Sequence, residues 1–221
     1  MAKLSDFLGG GGTQKSQIFT SSGTWSHPKP GEIIHVLVGE LWSGGGSGAS
    51  SSGGTNYSGG GGCSGMSSKL ISATNNLTIN VGAGGQGVSG AHGNDGGYSE
   101  VVDSSGNRLV SAGVGERGTR NGSTAGSSGY GVTWTGWDSS GSKSSPENLN
   151  SPWGISGANS DEDTSQGTAI GGSAARGSGG DAEDIWNNNG HPGDTGAGGG
   201  GCFGGTSGNG GDGVIELFWM E

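Results

Sequence analysis

The sequence predicts an all-β fold: a glycine-rich β-sandwich with a packed polyglycine II helix lattice and long loops. Three observations lead there. Glycine supplies 57 of the 221 residues, in runs such as Gly44–Gly46, Gly59–Gly62 and Gly198–Gly201. The segments between these runs are short, apolar and of strand length. Hydrophobic residues make up only 27% of the chain, too few for an ordinary core of that size, so the apolar core must be small and local.

A glycine-rich chain ordinarily reads as a linker, because ordering each residue costs roughly 1–2 kcal/mol of backbone entropy and glycine loses the most. Only the peptide N–H and C=O can offset that loss. Extended glycine segments can form a helix like polyproline II, with about three residues per turn, ~3.1 Å rise and no internal hydrogen bonds. Unlike proline, glycine keeps its donor, and no side chain holds neighbouring rods apart. Lateral bonding in several directions follows. A collagen reading fails for want of a strict Gly-X-Y period and with only five prolines, and seven tryptophans argue against disorder.

Along the chain, Leu4, Phe7 and Leu8 fall at helical spacing before Gly9–Gly12 stop the pattern. One or two turns are marginal alone, so this apolar face needs the body of the protein or another protein. Gln17–Thr20 reads as a short strand, and Thr24-Trp25 as the start of another before Pro28 and Pro30. Glu32–Trp42 is the strongest strand, with Ile34, Val36, Val38 and Trp42 on one face and Ile33, Leu37 and Leu41 on the other, which predicts burial on both sides. Val214–Met220 is equally apolar and is expected to pair with it. Leu77, Ile79 and Val81 alternate with polar residues as a half-buried strand. Tyr98–Asp103 and Arg108–Ala112 flank a turn at Ser104-Ser105-Gly106-Asn107.

Nine Lys plus Arg against nineteen Asp plus Glu give a net charge of −10, which disfavours nucleic-acid binding through phosphate neutralisation. No stretch approaches the ~20 apolar residues of a membrane span, and the N-terminus lacks the apolar core of a signal peptide. The expectation is no membrane insertion, with a protein that stays inside its producer cell or leaves it without classical secretion. Cys63 and Cys202 each follow four glycines, so matching levels on neighbouring rods, with a disulfide, and two buried free thiols are the readings to compare.

Phe19–Trp25 (FTSSGTW), the apolar strand running into Ser43–Gly48, Leu77–Gly87 (LTINVGAGGQG) and the terminal run from Gly198 to Trp219 together resemble the glycine-rich domain of bacteriophage tail-fibre and tail-tip proteins. The resemblance spans most of the chain, and its specificity lies in the ordered set. In architecture it is also similar to the distal receptor-binding adhesins of T-even-like phages, which alternate glycine-rich motifs with host-specificity segments. This implies a virion protein of the tail or tail tip, made in the host cytoplasm. Residues 1–22 would be the attachment segment, and 23–221 the glycine-rich domain, with strands over 32–112 and 213–220 and glycine rods and exposed loops over 113–212. The implied partners are other phage tail or fibre proteins, met through Leu4, Phe7, Leu8, Ile18 and Phe19, and a bacterial surface receptor, either a glycan or an outer-membrane protein. The attachment region is much shorter than in those adhesins. A structural virion component, such as a tail-tip cap, baseplate or head-fibre protein without receptor contact, is the alternative.

The loops around 114–165 and 181–195 hold the candidate contacts. Tyr130, Trp134, Trp137 and Trp153 lie among small polar residues, where tryptophan suits stacking on sugars or filling a partner's pocket. The same rings would serve equally to cap the ends of glycine rods. Trp186, Asn188 and His191 lie in a segment rich in donors and acceptors, suited to carbohydrate or to a simple asparagine-rich turn. The acidic clusters Asp161–Asp163 and Asp181–Asp184 read as solvated loops before calcium sites, and no metal or cofactor is expected. Gly82–Gly87 satisfies G-x-G-x-x-G, but with no following helix and in so glycine-rich a chain the match arises by chance. No P-loop, nucleophile elbow or HExxH pairing is present, so the sequence points to a binding or structural protein and not an enzyme.

Overall fold

A computed structural model of the chain describes residues 12–51, 60–120, 171, 173, 176, 178–180 and 189–221, together with the backbone of 131–133 and 147–149. The described residues are all-β, with no helix. The strands are β1 (Gln14–Phe19), β2 (Gly23–Trp25), β3 (Ile34–Trp42), β4 (Ser50–Ser51), β5 (Met66–Ala73), β6 (Leu77–Asn80), β7 (Glu100–Val102), β8 (Arg108–Ala112), β9 (Gly131–Thr133), β10 (Glu147–Leu149), β11 (Cys202–Phe203) and β12 (Val214–Met220).

Two antiparallel sheets carry most of them, in the orders β1-β12-β3-β5 and β10-β9-β8-β7-β6-β2, and β4 and β11 form a short parallel ladder. One apolar core lies between the sheets. Val36, Val38, Leu41, Ile71, Ile215, Leu217 and Trp219 come from the first, and Trp25, Leu77, Ile79, Val101 and Val110 from the second. Trp25 meets Trp219 edge-on at 5.4 Å and His27 at 5.4 Å. Phe19 and Trp25 both point into this core, and Gly23 between them lies against the Phe19 ring, so the FTSSGTW segment is a packing motif.

The expected pairing of the last strand with the strongest one is present, with Val214 opposite Trp42 and Trp219 opposite Val36. Burial on both faces holds only at the glycine end, where Leu41 and Ile215 join the core between the sheets and Trp42 and Val214 are buried on the other face against Cys63 and Ala197. Farther along, Val36, Val38 and Leu217 are buried, whereas Leu37 and Phe218 on the other face are only half-buried. β5 was not legible as a strand. Its inward positions are Ser67, Lys69, Ile71 and Ala73, and the Lys69 ammonium donates to the Leu109 carbonyl at 3.0 Å, so the apolar alternation is broken by residues satisfied across the core. The interval read as loops also contains β9 and β10, two short additions to the six-stranded sheet.

The glycine-rich segments are held by backbone bonds of a different pattern. Gly44, Ser47 and Ser50 donate to Gly97, Asn94 and Ala91, while Gly45 and Gly48 donate to Gly211 and Gly208, and Gly46 donates to Gly62. Acceptors turn the same way: Gly44 and Ser47 accept from Gly115 and Gly118, Gly46 and Ala49 from Gly199 and Cys202, and Gly45 from Gly85. Every third residue therefore addresses the same neighbour, and the 43–50 segment is bonded to six others: 82–88, 91–97, 113–118, 60–65, 196–202 and 207–213. Those six also bond to one another in sequence around it. Gly213 donates to Gly82, Gly97 to Ala83, Gly93 to Gly118, Gly62 to Glu116, Gly61 to Gly199 and Gly208 to Gly200, closing the ring. Glycine is required by the spacing: a methyl at Gly46 would fall on the Glu116 carbonyl and one at Gly84 on the Gly210 carbonyl.

Side chains supply acceptors that backbone does not. Ser47 Oγ accepts from the Asn94 N–H, Ser99 Oγ from Gly82, Asp212 Oδ1 from Gly84, Asn209 Oδ1 from Gly87 and Ser207 Oγ from Val88, all at 2.7–2.9 Å. Both cysteines are buried and neither forms a disulfide. The two segments that carry them run antiparallel, with Gly61 opposite Gly199 and Ser64 opposite Gly196, so Cys63 lies at the level of Ala197 and away from Cys202. Matching levels on neighbouring segments do not occur.

Candidate functional site

The molecule has two poles. Six of the seven glycine-rich segments join a sheet at one end, with Trp42, Val81, Tyr98, Ala112, Met66 and Val214 at the junctions, and in the seventh Gly196 lies beside Trp42 and Ser64. The other ends gather at Ser50, Val88 to His92, Gly118 to Arg120 and Cys202 to Thr206. At the opposite pole, Thr13 donates to the Glu221 carbonyl at 2.6 Å and accepts from its N–H at 3.0 Å. Gln14 pairs with Met220 there, while Phe19 pairs with Ile215 near the glycine junction. The chain thus enters the fold at the end of the sheets away from the glycine-rich segments.

The glycine pole is fixed by side-chain caps. Arg120 donates its N–H to His92 Nδ1 at 2.9 Å and its guanidinium to the Gly90 carbonyl. Ser50 Oγ donates to Gly205 at 2.6 Å and accepts from Gly90 at 3.0 Å. Asn189 Oδ1 accepts from Thr206 at 2.9 Å, and Ser89 bridges to Thr206. Asp95 takes the Arg117 N–H at 2.8 Å. His191 is exposed here, with its carbonyl held by the Gly200 N–H at 3.0 Å. The result is a set of turns whose backbones are tied down while polar groups face outward, an arrangement suited to presenting loops.

Of the predicted contact residues, Tyr130, Trp134, Trp137, Trp153, Trp186 and Asn188 lie outside the described residues, as do Leu4, Phe7 and Leu8 and both acidic clusters. His191 stands at the glycine pole. Ile18 and Phe19 are on β1, where Ile18 is 52% exposed and Phe19 is in the core at 8%. The loop expected from 114 begins later, because Gly115 and Gly118 are buried and bonded within the glycine-rich ring. No group of three or more His, Cys, Asp or Glu among the described residues could hold a metal ion. No helix among them is long and apolar enough to cross a membrane.

Sequence reading missed the capping arginine, Arg120, and a second one on the outer face of the four-stranded sheet. Arg176 bonds Glu40 Oε2 and reaches Glu216 Oε2 at 3.1 Å, and Trp42 Nε1 also donates to Glu40 at 3.1 Å. Burial pushes the Glu40 carboxyl up, but the hydrogen bonds from Arg176 and Trp42 and the guanidinium charge outweigh it and hold the group below its ordinary value. Arg176 is raised by its bond to Glu40, opposed by burial and reinforced by the charges of Glu40 and Glu216. The only signal in the sequence was an arginine isolated among Ala, Gly and Ser.

No protein-family model matches the chain, and no curated protein matches it.

Proposed function

We propose that this chain is a bacteriophage virion protein of the tail or tail tip: a receptor-binding adhesin that displays host-recognition loops on a polyglycine scaffold. The observation that carries the reading is the separation of its poles. The chain enters at one end of the sheets, where an attachment segment over residues 1–22 would meet other tail or fibre proteins, and the capped turns lie at the other. His191 and the borders of the loops that carry Trp186 and Asn188 are on that far side.

The seven bonded segments are read as packed polyglycine II helices, six around one, within a sandwich closed by the two sheets. Bonding that returns to the same neighbour at every third residue matches a helix of about three residues per turn, and eight residues at ~3.1 Å rise carry the turns about 25 Å beyond the sheets. Rigid turns lose less entropy on binding, so contact energy is retained as affinity. Tyr130, Trp134, Trp137, Trp153, Trp186, Asn188 and His191 are the proposed receptor contacts, to a glycan or an outer-membrane protein, by stacking and hydrogen bonding and without a catalytic step, cofactor or metal.

Alanine substitution of Trp134, Trp137, Trp153 and Trp186 together is expected to leave particle assembly intact and to lower adsorption to host cells at least about tenfold. Normal assembly with wild-type adsorption would remove the receptor assignment. A structural role as a tail-tip cap, baseplate or head-fibre component is favoured by one observation, the half-exposed outer row Leu70, Leu37 and Phe218, which neighbouring subunits would cover. The same variants would then fail in assembly and not in adsorption.

A further inference from the structure

Among the described residues, the four-stranded sheet has one long unpaired edge, at β1. On the far side of the sheet, β5 lies against β8 and β9, but β1 pairs with β12 alone and Gln14 to Ile18 are exposed. The bonding at its start decides which groups face outward. Thr13 and Glu221 exchange both backbone bonds, so alternation makes Lys15, Gln17 and Phe19 the residues bonded to β12. The N–H and C=O of Gln14, Ser16 and Ile18 therefore point to the open edge. Their side chains lie on the sheet's outer face, in register with Met220, Phe218 and Glu216.

We infer that this edge receives an extended segment of a second polypeptide, which adds beside β1 as a fifth strand and bonds the open groups of Gln14, Ser16 and Ile18. The edge carries few of the features that block such pairing. It has no proline, its register with β12 is unbroken, and its one lysine, Lys15, lies 3.8 Å from Glu221. An apolar residue of the incoming strand on the outer face would cover Ile18, which is 52% exposed and stands opposite Glu216.

This inference rests on the virion reading and names the partner's chemistry: a strand of the tail protein that also meets residues 1–22. β1 lies within that segment and starts at the pole away from the glycine-rich turns. A second copy is a poorer occupant. Self-pairing about Ser16 would run the two β1 strands antiparallel and turn the glycine poles to opposite sides, so both could not face one cell.

Ser16→Pro removes one open-edge donor while leaving every β1–β12 bond in place, and edge strands tolerate proline. With Ser16→Ala as control, purified virions are probed for the protein and the isolated proteins are melted. The expected result is normal incorporation of wild type and Ser16→Ala, and incorporation of Ser16→Pro lowered at least about tenfold, with a melting temperature within a few degrees of wild type. Equal incorporation of Ser16→Pro overturns the inference, as does a wild-type dimer in sedimentation that Ser16→Pro converts to monomer. Absence of wild-type protein from virions overturns the virion reading and this inference with it. If Ser16→Pro does not fold, hydrogen exchange on wild type decides: Gln14, Ser16 and Ile18 amides should exchange fast in the isolated protein and become protected in the particle, and no gain of protection overturns it.

Discussion

In the two sheets, Leu217, Val36 and Trp25 are buried by side-chain packing, and each strand bonds to at most one neighbour on either side. In the 43–50 segment the residues are glycine, serine and alanine, all buried, and backbone partners lie in six directions. The first region is stabilised by excluding water from apolar surface. The second gains from satisfying every peptide group where there is almost no apolar surface to exclude. The comparison teaches that a methyl group has opposite value at the two ends: between the sheets its loss is costly, and among the glycine segments its addition is.

The largest effect is therefore expected from the smallest substitution. In Gly46→Ala the new methyl lands on the Glu116 carbonyl and displaces the bonds that Gly46 makes to Gly62 and receives from Gly199. Chemical denaturation should show a loss of at least about 4 kcal/mol, or no folded protein. Gly106→Ala is the control: Gly106 has φ 84° and nothing near its missing methyl, so only the left-handed backbone penalty of about 1 kcal/mol should appear. Equal losses at the two sites would break the comparison.

Leu217→Ala, in the core between the sheets, should cost about 3 kcal/mol by the same measurement. Ser43→Ala sharpens the boundary between the regions. Its buried hydroxyl donates to Ala112 and accepts from the Ser99 N–H, both at 2.8 Å, and its removal should cost about 2 kcal/mol. The smallest effect belongs to the ion pair on the outer face. Glu40 titrates below its ordinary value in the folded protein, so its contribution is present above the unfolded value, near pH 4.5, and is lost as pH falls through the folded one. Glu40→Gln should cost under about 1 kcal/mol at pH 7, because the group is more than a third exposed, and the cost should shrink as pH is lowered below about 4.5, as read from melts across that range.

The strands were legible where apolar residues alternate or run together, as in Ile34–Trp42, Leu77–Asn80 and Val214–Met220, because burial writes its own period into such segments. β5 was not, since Ser67 and Lys69 face inward and are satisfied by bonds that only the folded partner supplies. Glycine runs announced close backbone approach but not direction. GGGGC occurs before both Cys63 and Cys202, yet the two segments run opposite ways, which identical short strings cannot encode. At the candidate site, His191 was legible as a polar loop residue. Arg120 and Arg176 were not, since their roles depend on the Gly90 carbonyl and on Glu40, distant in the chain. The open edge at β1 was equally hidden, because a strand's sequence does not say which of its sides is paired.

The return of each bonding direction at every third residue has a consequence for how such a chain can change. One residue inserted into 43–50 would redirect every later donor by a third of a turn, and Ser47 would lose Asn94 as Gly48 loses Gly208. Three residues inserted together would restore the directions and lengthen the segment by one repeat. Length variation in this region should then be counted in triplets of amino acids.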